Sequence, residues 1–258
     1  MTAEFIASLS RGERVRLPGR WSYWRRKEQK PPRGDWRLWL ILAGRGFGKT
    51  RAGAEWVLEV ARTCPDARIA LVAASLAEAR AVMVEGESGV LACAPARRRP
   101  QFEPSLRRLS WRNGAIATLY SAGEADSLRG PQHSHAWADE IAKWDAASAE
   151  AAWVNLQLGL RLGETPRVLA TTTPRAVPLV HRLVAECEAP DGVLTRGTTW
   201  DNKANLPPRF IGAMRRAYGG SALGRQELEG ELLAEVDGAL WSRALIEQCR
   251  MSPPPLQG

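Results

Sequence analysis

Two clusters of residues have the types and spacing needed to hydrolyse a phosphoanhydride. The first is Ala43-Gly44-Arg45-Gly46-Phe47-Gly48-Lys49-Thr50. Glycines let successive backbone N–H groups curl around phosphate oxygens with no Cβ in the way. A helix N-terminus adds partial positive charge. Lys49 then reaches the β- and γ-phosphates, and the Thr50 hydroxyl can sit on Mg2+. Gly44, Arg45, Gly46, Phe47, Gly48, Lys49, Thr50 and Arg51 are the expected ATP-binding residues. The second cluster is Asp139-Glu140, 90 positions beyond Lys49. One carboxylate can hold the metal while the other stays free to deprotonate an attacking water. Taken singly, the clusters also read as a chance glycine-rich turn and a solvated strand end. Together they read as the two halves of an ATPase site.

Each cluster needs an element to hold it. The apolar run at 38–42 predicts a strand and 51–61 a helix, giving the strand–loop–helix context of a phosphate loop. The continuous apolar run at 68–74 predicts a strand buried on both faces of a parallel sheet. Ser75 is placed to cap a helix over 76–84, and 88–104 reads as irregular. Residues 106–120 predict a hairpin turning at Asn113-Gly114, with Leu109-Ser110-Trp111 facing Ile116-Ala117-Thr118. A short strand over 133–140 ends in the two carboxylates. A helix over 145–162 follows, closed by Gly163. The strand at 167–170 runs into Thr171-Thr172-Thr173-Pro174, whose hydroxyls can sense a γ-phosphate, although β propensity alone also favours threonine there. A helix at 177–188 and a strand at 192–198 come next. Helices are then expected at 207–218, capped by Asn205, at 221–233, capped by Ser221, and at 241–249.

Other residues invite chemistry less strongly. Gln29, just before the first strand, can hydrogen-bond adenine or lie on a polar surface. His133 and His135 are expected on one strand face, where a metal pair would fit, but no third ligand is apparent and packing or surface histidines are favoured. Asn202-Lys203-Ala204-Asn205 lacks the final Asp of a guanine-specificity motif. Cys64, Cys93, Cys187 and Cys249 are scattered without a CxxC pair and read as reduced structural thiols.

The chain of 258 residues can bury one sizeable core. It shows no long apolar span and no signal-peptide pattern, which predicts no membrane and a cytoplasmic site of action. Its net charge is +8, and residues 1–37 hold ten Lys/Arg against four Asp/Glu. Arg97, Arg98 and Arg99 form a second basic cluster with Arg107 and Arg108. Such charge suits nucleic acid. However, only five of the 36 basic residues are lysines, a bias that a GC-rich genome gives any protein.

These residues carry a resemblance. From about residue 21 to 241 the chain resembles the ATPase half of the large subunit of phage terminases, the genome-packaging motors, and the corresponding protein of gene transfer agents. The marks are Asp35-Trp36-Arg37, the loop from Ala43 to Gly53 with Arg45 four residues before the lysine, Leu128-Arg129-Gly130-Pro131, Trp137-Ala138-Asp139-Glu140, Thr171-Thr172-Thr173-Pro174 and Gln226-Glu227-Leu228-Glu229-Gly230. The resemblance implies an α/β, RecA-like P-loop ATPase fold of the additional-strand, catalytic-Glu type. In it a mostly parallel sheet lies between helices, and the catalytic Glu sits on a strand next to the loop strand. The expected organisation is a basic arm over 1–35, an ATPase core over 36–204 and a helical linker subdomain over 205–258. In one respect the chain departs from the family: large terminases usually carry a C-terminal nuclease domain, whereas only seventeen residues follow Trp241, so no nuclease domain or activity is expected and the chain reads as an excised ATPase domain or a naturally split subunit. ATP and Mg2+ are the implied ligands. Lys49, Arg45 and Glu140 are the implied catalytic residues, Thr50 and Asp139 the metal ligands, and Thr171, Thr172 and Thr173 the coupling residues. The implied partners are double-stranded DNA, a portal protein and procapsid, and a small terminase subunit, in the cytoplasm of a bacterial host. The chain would be a ring homo-oligomer when assembled and a monomer when isolated. Arg45 lies within the loop and must act in its own subunit. Arg80 and Arg129 are the candidates to act on a neighbour's site, Arg80 being preferred, with surface ion pairs as the plain alternative. A helicase-type ATPase would need a second RecA-like domain, for which the chain is too short. A vestigial scaffold sits poorly with Lys49, Thr50, Asp139 and Glu140 all present.

Overall fold

The computed structural model describes residues 8–10, 12, 21–233 and 249–250. Strand β1, Leu38–Ala43, is buried at every position. Leu38, Leu40 and Leu42 enter one apolar cluster, while Trp39, Ile41 and Ala43 enter another. The two-residue alternation sends successive side chains to opposite faces, so an all-apolar strand must be covered on both. The remaining strands are β2 (Arg68–Ala73), β3 (Gln101–Glu103), β4 (Arg108–Ser110), β5 (Ile116–Ser121), β6 (His135–Asp139), β7 (Arg167–Thr172) and β8 (Gly192–Gly197). They form one sheet in the order β3-β4-β5-β2-β6-β7-β1-β8. From β5 to β8 all neighbours are parallel, while β3 and β4 add an antiparallel margin.

Helix α1, Lys49–Thr63, follows β1 and covers the face of Trp39 and Ile41 with Ala54, Trp56, Val57 and Val60. Helices α2 (Ala149–Gly159) and α3 (Pro178–Glu186) cover the other face through Trp153, Leu156, Leu179 and Leu183. Two further helices, α4 (Pro208–Tyr218) and α5 (Ala222–Glu227), come after the last strand. No helix among the described residues is long and apolar enough to cross a membrane.

The hairpin forms as expected, with Leu109 opposite Ala117 and Ser110 opposite Ile116. Ser75 caps only Leu76–Glu78, accepting from the Glu78 N–H at 3.2 Å, and the chain then widens into a π-helix over Ala79–Val84. The span 88–104 is not wholly irregular, since it holds a turn of helix, Val90–Cys93, and β3. The helix expected over 145–162 is shorter, and Gly163 lies in the loop beyond it at φ +77°. Asn205 caps nothing: its amide donates to Asn202 Oδ1 at 2.8 Å, and Pro207 precedes α4. Ser221 does cap a helix, but α5 stops at Glu227 because the following residues turn back toward the phosphate loop. The helix expected over 241–249 falls outside the described residues apart from Cys249.

One topological expectation is corrected. The carboxylate strand β6 does not adjoin the loop strand β1, because β7 lies between them, pairing Thr171 with both Asp139 and Ile41. The inserted strand brings the threonines into the gap between the loop lysine and the carboxylates.

Candidate nucleotide site

The loop Gly44 to Gly48 leaves the end of β1 with its carbonyls turned outward and tied down. Lys49 Nζ donates to Ala43 O at 2.9 Å. Thr199 Oγ1 donates to Arg45 O at 2.6 Å, and Asn202 Nδ2 to Gly46 O at 2.6 Å. The Arg26 guanidinium donates to Phe47 O and to Asn202 Oδ1, the latter at 2.7 Å, and lies 4.7 Å over the Phe47 ring. Gln29 Nε2 donates to Gly48 O at 3.1 Å. Gly48 stands at φ +94°, where a side chain would be strained, and starts α1. With these carbonyls engaged, the N–H groups of Gly46, Gly48, Lys49 and Thr50 have no acceptor among the described residues. Free N–H groups at a helix start make an anion-binding nest.

The loop is also clasped from above. Arg45 N–H donates to Glu227 O at 2.7 Å, and Thr199 N–H to Leu228 O at 2.7 Å. A Cβ on Gly44 would lie 2.5 Å from Leu228 O, so only glycine allows this approach. The Arg45 side chain, 66% exposed, forms an ion pair with Glu227 at 2.5 Å. It therefore does not point into the loop, as the expected γ-phosphate contact would require.

The carboxylates complete the site from β6. Asp139 is buried and accepts from Thr171 Oγ1 at 2.5 Å. Burial, reinforced by the neighbouring Glu140 charge, pushes its carboxyl up to about 6 against the opposing pull of Thr171 and Lys49. Glu140 sits just past the strand at φ 45°, ψ 51°, a left-handed conformation that costs a non-glycine residue energy. That kink aims its carboxylate at Lys49, with Oε1 3.3 Å from Nζ. The same Nζ donates to Thr173 Oγ1 at 2.9 Å, and Thr173 N–H donates to Glu140 Oε2 at 3.2 Å.

Thus Lys49, Asp139, Glu140, Thr171 and Thr173 are brought together. Thr172 is not: its side chain points to the opposite sheet face and accepts from Ala142 N–H at 3.1 Å. Gln29 is only 3% exposed and its amide is engaged by Gly48 O and Arg26 N–H, so it braces the loop rather than presenting itself to adenine. Arg51 turns outward to Glu55 at 2.6 Å. Arg80 is forked onto Glu85 at 2.9 and 3.0 Å, whereas Arg129 is 73% exposed with Asp126 3.8 Å away. That reverses the preference for Arg80 as the arginine free to reach a neighbour.

His133 and His135 do not share a face. His133 precedes β6, where regular alternation has not begun, and packs edge-on against Tyr120, while His135 packs against Trp56 on the other side of the sheet. No cluster of three metal-ligating side chains occurs among the described residues. Cys64, Cys93, Cys187 and Cys249 are free, and burial pushes Cys93 up to about 12 and Cys187 to about 11, which makes both inert. Arg26, Thr199, Asn202 and Glu227 belong to the site but carry no role legible in the sequence. They reach the loop across 21 to 182 positions; Glu227 lies in the Gln226–Gly230 mark and Asn202 in the incomplete specificity motif, but neither stretch tells of a contact with the loop.

The family model described as terminase large subunit, T4likevirus-type, N-terminal, matches residues 40–248. Among solved structures, the large terminase ATPase domain of Thermus phage P74-26 aligns with a TM-score of 0.60 at 18% identity, over 79% of this chain and 94% of that one. The large terminase of a second, thermophilic bacteriophage, solved with ADP, aligns at 0.60 and 14% identity over 76% of this chain and 48% of that one. The same terminase with ATP-gamma-S aligns at 0.58 and 12% identity. The chain therefore spans about half the length of that second terminase. No curated protein matches it in sequence. These likenesses agree with the eight-stranded, mostly parallel sheet. The chain belongs to the terminase large subunit family, the DNA-packaging motors of phages, and carries that family's N-terminal domain.

Proposed function

We propose that this chain hydrolyses ATP with Mg2+ and uses the energy to move double-stranded DNA into a capsid. The observation that carries the reading is the meeting of Lys49, Glu140 and Thr173 beside a loop whose N–H groups at Gly46, Gly48, Lys49 and Thr50 have no acceptor among the described residues. Lys49 exchanges Glu140 and Thr173 for the β- and γ-phosphates of incoming ATP. Glu140, thereby released, takes a proton from the water whose oxygen attacks the γ-phosphorus, and the bond to the β-phosphate oxygen breaks. Arg45 must leave Glu227 to meet the charge that builds on the γ-phosphate, so nucleotide and the Gln226–Gly230 clasp compete for it.

Asp139 and Thr50 fit Mg2+ by their chemistry. Both offer hard oxygens, the Asp139 carboxylate is buried with a raised pKa, and the Thr50 hydroxyl makes no hydrogen bond among the described residues. Bound there, the ion would neutralise phosphate charge. Thr173 touches both Lys49 and Glu140, so loss of the γ-phosphate would be felt along β7, which suits a coupling role.

A packaging motor must let the duplex slide, so its contacts fall on phosphates and not on base edges. The implied partners are a portal and procapsid, a small terminase subunit and further copies of the chain in a ring, in the host cytoplasm. Residues 1–35, 36–204 and 205–258 serve as arm, ATPase core and linker. Single-turnover γ-phosphate release, with and without duplex DNA and with Mg2+ or EDTA, tests the reading. Release that needs Mg2+ and rises with DNA supports it, and release indifferent to both overturns it.

A further inference from the structure

Helix α1 has a basic cleft on a flank away from the loop it carries. A cleft of about 1370 Å3 runs along its outer side, between the 21–31 segment and the 93–99 and 111–113 segments. Arg25, Lys30, Arg97, Arg98, Arg99 and Arg112 line it. None of these six forms an ion pair among the described residues, and all but Arg25 are exposed. The carboxylates on the floor are already neutralised, Glu55 by Arg51 at 2.6 Å and Glu59 by Arg62 at 2.5 Å. The other basic cluster differs in kind, because Arg108 is paired with Glu103 at 2.9 Å and Arg107 lies 3.8 Å from Glu124.

We propose that this α1 flank is the surface that tracks the phosphate backbone of the DNA, with Arg97, Arg98, Arg99 and Arg112 as its contacts and Arg25 and Lys30 as its opposite rim. The inference rests on the DNA-translocation reading and adds where the duplex is held. Unpaired guanidiniums gain most from phosphate, since they give up no carboxylate and fork onto phosphate oxygens. At 1.5 Å per residue the fifteen-residue α1 is about 22 Å long. One DNA strand places roughly six phosphates along that length, comparable to the number of cations. The same rigid helix carries the nucleotide loop at its N-terminus, so a load on its flank bears directly on Lys49 and Thr50.

The test measures duplex affinity against salt for the chain and for a variant with Arg97→Gln, Arg98→Gln and Arg99→Gln, beside a control with Arg107→Gln and Arg108→Gln. The triple variant is expected to lose about 2–3 from the slope of log K against log salt, at ~0.9 per phosphate contact. It should keep the DNA-free ATPase rate and lose its stimulation by duplex, while the control changes neither. A triple variant with the parental slope and stimulation, or a control that loses both, overturns the placement. If polyglutamate binds the parent but not the triple variant, and duplex binding is equal for the two, the cleft serves an acidic protein and the proposal fails. If the parent binds no duplex even at low salt, the translocation reading itself fails and takes this inference with it.

Discussion

Lys49 Nζ lies 3.3 Å from Glu140 Oε1, so the cation proposed to seek phosphate is held by the carboxylate proposed as the base. On the proposed reading ATP breaks this pair to bind, and breaking it frees the base. Glu140→Gln removes the competitor for Lys49 and should tighten ATP binding about fivefold, corresponding to roughly 1 kcal/mol for a partly exposed ion pair. Lys49→Ala should abolish binding. Equilibrium titration with a fluorescent ATP analogue reads both, and weaker binding by Glu140→Gln would count against the competition.

The loop carbonyls are braced from two distant segments, 26–29 and 199–202. Asn202→Ala removes the bond to Gly46 O and the partner of Arg26. A hydrogen bond contributes about 0.5–1.5 kcal/mol, so KM for ATP should rise about two- to tenfold with kcat little changed. Arg26→Lys should not rescue an Arg26→Ala defect, because an ammonium cannot reach Phe47 O and Asn202 while covering the Phe47 ring. Steady-state kinetics decide both points; unchanged KM would make these residues ornaments of the surface.

The arginine that acts on a neighbouring subunit can be identified by mixing. Arg129, loosely held by Asp126, is the better placed of the two candidates, and Arg80 is committed to Glu85. Neither Arg129→Ala nor Glu140→Gln alone should turn over ATP at more than a small fraction of the parental rate. Mixed together they should recover part of it, since one intact composite site forms at their junction. Recovery with Arg80→Ala in place of Arg129→Ala would favour Arg80. A rate per chain that does not rise with protein concentration would leave Arg45 as the sole arginine.

Acid should weaken the fold through His133. Burial holds its imidazole down to about 4, and its Nε2 has no hydrogen-bond partner among the described residues. The unfolded chain takes up the proton near 6.5, so stability from the neutral form is full above that value and is lost as pH falls from about 6.5 to 4. The loss from this group is about 2–4 kcal/mol. His135, also held down to about 4, adds in the same direction. Thermal melts from pH 7 to 4.5 should fall steeply for the parent and less for His133→Gln. Parallel curves would remove His133 from the acid response.

The strands and the cluster of the candidate site are legible in the sequence because each depends on local signals. An all-apolar β1, the loop glycines and the adjacent Asp139-Glu140 declare themselves within a few residues. The position of β7 is not legible, because strand order depends on which surfaces pack, not on sequence order. The opposite facing of His133 and His135 escapes a sequence reading for a related reason: the two-residue period holds only once a strand has begun. Asn202 reads as part of a failed specificity motif, yet it braces Gly46. Arg45 reads as a phosphate contact, but in the fold it pairs with Glu227, 182 positions away, which no local reading could supply.

The role of Glu140 as the catalytic base is tested most directly by phosphate release in a single turnover, with Mg2+ and duplex DNA, from the parent and from Glu140→Gln at saturating ATP. The predicted result is a burst of phosphate from the parent and, from the variant, release slowed by at least ~10²-fold, the lower end of what a positioned base contributes, although ATP is fully bound. Release at the parental rate from Glu140→Gln would contradict the assignment of the site.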